Sequence, residues 1–147
     1  MILVDANLLL YAYHPRAGSH EDSRAWVESV LSGPELVRFA WVTLWAFLRV
    51  STNPRVFERP LSAEEAPDAV ASWLARPNAG ILDPGERHWE LVSRLLRDGQ
   101  ASGALVMDAA LAAIALEHGA TLCTTDRDFS RFPELRWTNP LATQRRD

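Results

Sequence analysis

Apolar positions in this chain follow two rhythms. Four short, mostly apolar runs, Ile2 to Val4, Leu36 to Ala40, Gly80 to Leu82 and Thr121 to Thr124, are too brief for helices and read as buried strands. Longer stretches between them repeat their apolar positions at helical spacing. These predict helices over about Asn7 to Tyr13, His20 to Leu31, Val42 to Ser51 and Glu86 to Arg97, and an almost wholly apolar one from Val106 to Gly119. Ser62-Ala63-Glu64-Glu65 is a capping box that opens a further helix carrying Val70, Trp73 and Leu74. In Glu86 to Arg97 the pattern sets Trp89, Val92, Leu95 and Leu96 against Arg87, Glu90, Arg94 and Arg97.

Punctuation agrees with this division. Asp5 or Asn7 can cap the first helix, Thr43 is a candidate start signal for the third, and Gly33-Pro34, Asn53-Pro54, Gly99 and Gly119 end helices. Asp126 to Arg131 reads as a turn or short helix, Leu135 to Trp137 as a fifth strand, and the tail from about Leu141 as polar and mobile. Strands alternating with helices at this spacing predict an α/β fold: a three-layer α/β/α sandwich around a central parallel sheet of four to five strands.

Composition narrows the class. The 147 residues fit one domain, with 48% hydrophobic and 23% charged residues, ordinary values for a globular protein. The single cysteine, Cys123, sits in a strand as core filler, which points to a reduced, cytoplasmic setting. Asp5 interrupts the N-terminal apolar run, so no signal peptide is expected, and no apolar run is long enough to span a membrane. The formal net charge of −4 does not advertise nucleic-acid binding, although every basic residue is Arg, the better partner for bidentate phosphate contacts.

The chemistry lies in the acids. Asp5 ends the first strand, Asp126 follows the fourth, and Asp108 stands alone in the apolar stretch Ala104 to Ala115, on a stripe with Leu111, Ala112 and Ala115. Ligands of parallel sheets bind outside the carboxyl ends of the strands. The helix holding Asp108 runs back across the sheet, so its first turn falls over that same edge. Three carboxylates converging there, with oxygen as the only donor, select a hard cation, Mg²⁺ or Mn²⁺. Each acid also has a plainer role open to it: Asp5 as helix cap, Asp126 as turn cap, Asp128 as a solvated surface charge, Asp108 as the partner of an Arg. His14 and His20 are candidate general acids, although loop or cap roles are the more ordinary expectation for both. No phosphate-binding glycine loop and no nucleophile triad is present.

At these residues the chain resembles the PIN-domain ribonucleases of the VapC toxin type. The resemblance is carried by MILVDANLLLYA, FLRVSTNPRVF and MDAALAAIALEHGATLCTTDRDFSRFPELRWTNPL, in that order. It implies a PIN-like α/β/α sandwich and a Mg²⁺- or Mn²⁺-dependent endoribonuclease. It also implies a toxin of a type II toxin–antitoxin system that acts on tRNA or ribosomal RNA and is neutralised by a cognate VapB-type antitoxin, in a homodimer or a toxin–antitoxin hetero-oligomer. Asp5, Asp108 and Asp126 match the catalytic and metal-binding acids; Asn7 and Thr124 match supporting polar positions, and Asp128 an accessory acid. Arg49 is the Arg to associate with substrate or with the acids, and Arg55 and Arg59 would extend a basic rim. Trp26, Trp41, Trp45 and Phe47 would supply aromatic area for the antitoxin, although most of the six Trp are expected in the core. One departure stands out: where the family carries a helix Glu, this chain has Ala46. That keeps open a catalytically weak or inactive PIN-fold module that binds RNA or protein, and, further off, a DNA nuclease or phosphatase on a similar sheet.

Overall fold

The computed structural model describes residues 1–142. Five strands, β1 (Ile2–Val4), β2 (Val37–Ala40), β3 (Ala79–Leu82), β4 (Thr121–Cys123) and β5 (Trp137–Thr138), form one sheet in the order β3-β2-β1-β4-β5. Every pairing is parallel. Six helices connect them: α1 (Ala6–Tyr13), α2 (His20–Ser32), α3 (Trp41–Ser51), α4 (Glu65–Leu74), α5 (His88–Asp98) and α6 (Leu105–His118).

The three layers follow from the period-two alternation of strand side chains. Leu3, Ala40 and Leu122 point into one apolar core with α5 and α6; Val4, Val37, Phe39 and Cys123 point into the other with α1, α2, α3 and α4. Both faces of the short central strands are therefore covered, which is why they read as mostly apolar runs, broken in β2 only by Arg38. Cys123 is buried, and burial pushes its thiol up to about 12, so it packs as a small hydrophobe.

Local signals place the helices. Asp5 caps α1, accepting a hydrogen bond from the Ala6 N–H at 2.7 Å. Before α4 the capping box closes in both directions: Glu65 N–H donates to Ser62 Oγ at 3.0 Å, and Ser62 N–H donates to Glu65 Oε1 at 3.1 Å. Gly119 ends α6 at φ 66°, a left-handed conformation that favours glycine.

Four expectations are corrected. Thr43 is not a cap, because α3 starts at Trp41 directly off β2 and the Thr43 side chain is buried inside it. On α5 the buried face is Leu91, Val92 and Leu95, whereas Trp89 is 75% exposed. Of the six Trp only Trp73 is fully buried; Trp41, Trp45 and Trp89 are exposed and Trp26 and Trp137 lie between. The tail does not begin at Leu141, which is buried in the second core and whose N–H donates to Asn139 Oδ1 at 3.0 Å; the rest of the expected tail, 143–147, lies outside the described residues.

Candidate active site

The sheet order makes β1 and β4 neighbours, with Val4 opposite Cys123. The next residues along, Asp5 and Thr124, therefore leave the sheet side by side, and the Asp5 N–H still donates to Cys123 O at 3.0 Å. Thr124 is fully buried, and its hydroxyl uses its full bonding capacity. It donates to Asp5 Oδ2 at 2.7 Å and accepts from Asn7 Nδ2 at 3.2 Å and from the Asp126 N–H at 3.0 Å. One side chain thus joins the ends of β1, α1 and β4. With Ala6 N–H on Oδ1 and Thr124 on Oδ2, both oxygens of Asp5 are oriented by the fold.

The other acids arrive differently. Asp126 caps the 3₁₀ turn Arg127–Arg131, its Oδ1 accepting from the Asp128 N–H at 2.8 Å. Asp108 lies in the first turn of α6, where the helix dipole favours an acid. Carboxylate oxygens of Asp108, Asp126 and Asp128 lie within 4.8 Å of one another. Asp5, Asn7, Asp108 and Asp126 line one cavity of about 510 Å³, together with Ala46, Arg49, Val42, Thr43, Trp45, Met107 and Leu111.

No ion pair neutralises this concentration of negative charge among the described residues. Burial raises the carboxyl of Asp108 to about 6, and Asp126, Asp5 and Asp128 push it in the same direction; the Arg131 cation opposes them only weakly. Asp5 is raised too, by burial first and by Asp126 last, while its bonds from Thr124 and Ala6 N–H pull it down. Arg131 directs its guanidinium to the carbonyls of Gly99 and Asp128. Among the described residues no ion pair involves any of the four acids. Asn7 Oδ1 is buried in the same place with no partner. Crowded oxygen donors, carboxyls reluctant to ionise alone and an orphaned amide oxygen all fit a hydrated divalent cation.

Most candidates meet here, in a different arrangement from that expected. The tightest trio is Asp108, Asp126 and Asp128, with Asp128 drawn in by the turn that Asp126 caps, while Asp5 faces the same cavity from the β1 end. Asn7 and Thr124 support the site through the bonds described, and Arg49 and Ala46 line it from α3. His14 and His20 do not reach it, which removes both as general acids. His14 packs on Phe57 with ring centroids 4.5 Å apart, and His20 Nδ1 is 2.8 Å from Tyr11 O. Arg59 lines a small cavity with His14 rather than the acid one. Of the aromatics expected on a binding surface, Phe47 is buried, Trp26 is half-buried, and Trp41 and Trp45 are exposed. Trp45 and Met107 in the cavity wall were not expected. The signal for Trp45 is legible afterwards: Trp41, Trp45 and Arg49 share one helical stripe, away from Leu44 and Phe47.

Comparison with known proteins agrees with this geometry. A family model described as PIN domain matches residues 2–135. Ribonuclease VapC37 of Mycobacterium tuberculosis is 44% identical over 142 residues, covering 97% of this chain and 99% of its own. Ribonuclease VapC43 of the same organism is 43% identical over 144 residues, 98% of each chain. Among solved structures, VapBC-1 from nontypeable Haemophilus influenzae superposes with a TM-score of 0.66 at 21% identity, over 95% of this chain and 98% of that one. The acids at the carboxyl edge of a five-stranded parallel sheet and a near full-length match to these ribonucleases lead to one assignment: the chain belongs to the PIN domain family, among its VapC ribonucleases.

Proposed function

We propose that this protein is an endoribonuclease that hydrolyses RNA phosphodiester bonds with a bound Mg²⁺ or Mn²⁺, acting as the toxin of a type II toxin–antitoxin pair. The observation that carries the reading is the acid cavity at the edge of the sheet where ligands bind. Asp5, Asp108 and Asp126 line it beside Arg49, Asp128 brings a carboxylate oxygen within 4.8 Å of Asp108 and Asp126, and none of the four forms an ion pair among the described residues. Relatives more than 40% identical over nearly the whole chain are named as ribonucleases, which supports the same activity.

The residues divide the work. Asp108 and Asp126 would hold the cation, with Asp128 supplying the further acid that Ala46 does not. Asp5, fixed by Thr124 and the α1 N-terminus, would be a further ligand. Asn7 Oδ1, buried without a partner, would accept a hydrogen bond from water in the cavity. Arg49 would take a non-bridging phosphate oxygen. The bound ion would supply a water of lowered pKa and neutralise charge on the phosphodiester. No protein nucleophile is needed, which fits a cavity lined by no Ser, Cys or His.

The proposed substrate class is tRNA or ribosomal RNA, and the proposed partner a VapB-type antitoxin in the cytoplasm, with the toxin as a homodimer or in a hetero-oligomer. Among the described residues no helix is long and apolar enough to cross a membrane. The cavity of about 570 Å³ between α1, α2 and α4, lined by Tyr13, Val27, Leu31 and Trp73, has the apolar floor that a partner helix requires. The reading as an inactive binding module rests on Ala46 and on the acidic net charge, and the position of Asp128 weakens the first of these.

The test is cleavage of total tRNA and rRNA with Mg²⁺ or Mn²⁺, with EDTA, and with Asp5→Asn and Asp108→Asn, beside DNA and phosphomonoester substrates. Metal-dependent cutting of RNA alone, lost in both variants, is expected. Undiminished cutting in EDTA, or by both folded variants, would overturn the site; no turnover with either metal would favour the binding module.

A further inference from the structure

The active-site reading leaves one feature of the cavity wall without a task. Helix α3 buries Leu44 and Phe47 and turns Trp41, Trp45 and Arg49 outward along one stripe. Trp45 is 61% exposed and Trp41 is 41% exposed, yet their rings pair with centroids 6.2 Å apart and planes inclined at 30°. The Trp41 indole N–H donates to Asp83 Oδ1 at 3.0 Å, which fixes the lower ring from the loop after β3. Trp45 is therefore a large aromatic surface backed by a second, anchored one. It lines the same cavity as Asp5, Asp108 and Asp126, and Arg49 follows one helical turn further along.

A core role does not explain two indoles left in water at the edge of an acid cavity, because burial is what normally stabilises them. The neighbours indicate the occupant. A phosphate group is the ligand for the cation and Arg49, and the group covalently nearest a nucleic-acid phosphate that has a π-face is the base. Aromatic faces bind unpaired bases whatever their sequence, and they add a binding contribution that does not depend on net charge. Stacking of this kind is compatible with a formal net charge of −4, because it does not require a basic surface.

We propose that the Trp41–Trp45 pair is a nucleobase platform. It holds one unpaired base of the RNA beside the phosphodiester presented to the acids, with Trp45 in contact and Trp41 as its backing. The inference rests on the ribonuclease reading for the identity of the ligand. It requires a single-stranded or flipped-out nucleotide next to the cut.

The experiment measures binding and cutting separately. Binding of short single-stranded RNA is followed by fluorescence anisotropy in the Asp108→Asn protein, which prevents cutting. Adding Trp45→Ala is expected to raise Kd roughly tenfold to a hundredfold, and Trp45→Phe to restore most of the affinity. Trp89→Ala, an exposed indole outside the cavity, is expected to change nothing. A walk of abasic sites along the RNA is expected to find one position that costs the Trp45 protein the same factor and costs the Trp45→Ala protein little, a pattern that a merely structural Trp45 would not give. In otherwise wild-type protein, Trp45→Ala should raise KM with a smaller change in kcat. Unchanged Kd in Trp45→Ala, or an equal loss in Trp89→Ala, overturns the platform. So does a change in oligomeric mass on sedimentation with no change in affinity, which would assign the face to a second copy of the chain. Wild-type protein that binds RNA through Trp45 but cuts with neither metal would sink the nuclease reading and leave the platform standing.

Discussion

The two walls of the acid cavity are built on opposite principles. On the β1–β4 wall every side-chain oxygen of Asp5 and Thr124 is engaged: Ala6 N–H, Asn7 and Asp126 N–H converge on them, and the geometry is set by strand register. On the α6 wall Asp108 stands in the first turn among three other carboxylates, with Arg131 as the opposing cation and a rim of exposed Met107 and Val106. The first wall is rigid because it is satisfied. The second is poised because it is not, and its repulsion is relieved by protonation of Asp108 or, on the proposed reading, by a divalent cation. On the proposed reading such a site separates positioning from binding: the sheet would fix where the phosphate lies, and the helix turn would supply the charge for the metal.

The sharpest way to break this contrast is to neutralise each wall in turn. Asp108→Asn should lower RNA cleavage by about a thousandfold, since charge stabilisation by the metal is worth several kcal/mol. At pH 7 without metal the same variant should melt higher than the parent, because it removes a carboxylate that the fold strains to ionise. Loss of activity together with loss of stability would show Asp108 to be a structural residue instead. The next effect belongs to the ion. At about a hundredfold excess over its Kd, Mg²⁺ should stabilise the protein by about 2.7 kcal/mol, seen as a higher Tm by scanning calorimetry. In Asp108→Asn that shift should largely vanish.

The satisfied wall responds in the other sense. Thr124→Val keeps the shape but removes one donor and two acceptor bonds at a buried point. It should cost about 1–3 kcal/mol in urea unfolding and lower cleavage tenfold to a hundredfold by releasing Asp5. Thr124→Ser should restore both. A Thr124→Val protein of unchanged stability but reduced activity would place the hydroxyl on substrate rather than on Asp5.

The same contrast explains what could be read from the sequence. Asp5, Thr124 and Asp126 were legible because period-two strands and their carboxyl ends are local patterns, and the parallel sheet puts β1 beside β4. Asp108 was legible because one acid in an apolar helix has few alternatives. Asp128 was undervalued, since its approach to Asp108 depends on the 3₁₀ turn that Asp126 caps, a geometry with no period. The exposed Trp residues were misplaced for a related reason: hydrophobicity predicts burial on average, and only the position of Leu44 and Phe47 on the far side of α3 shows that Trp45 faces outward. His14 and His20 looked available because both were expected near the strand rim, but packing and a backbone carbonyl hold both away from the acids.

The smallest expected effect is the most specific to the poised wall. Asp108 has a folded-state pKa of about 6 against an ordinary value of 3.8, so between these values the folded protein holds a proton that the unfolded chain has released. Stability in EDTA therefore falls as pH rises through this window, and the full penalty is present above about 6. Asp5 shifts in the same direction and adds to the slope. Other groups titrate too, so the informative quantity is the difference in stability between the parent and Asp108→Asn, measured by urea titration from pH 7 downward. In EDTA the variant's advantage should shrink steadily as the pH falls and Asp108 takes up its proton. With saturating Mg²⁺ the order should reverse at pH 7, the parent becoming the more stable, because the ion now competes with the proton for the same oxygens. A difference that stays flat across the window, with or without metal, would mean that Asp108 ionises as freely as a surface acid, and the division of the cavity into a satisfied and a poised wall would fail with it.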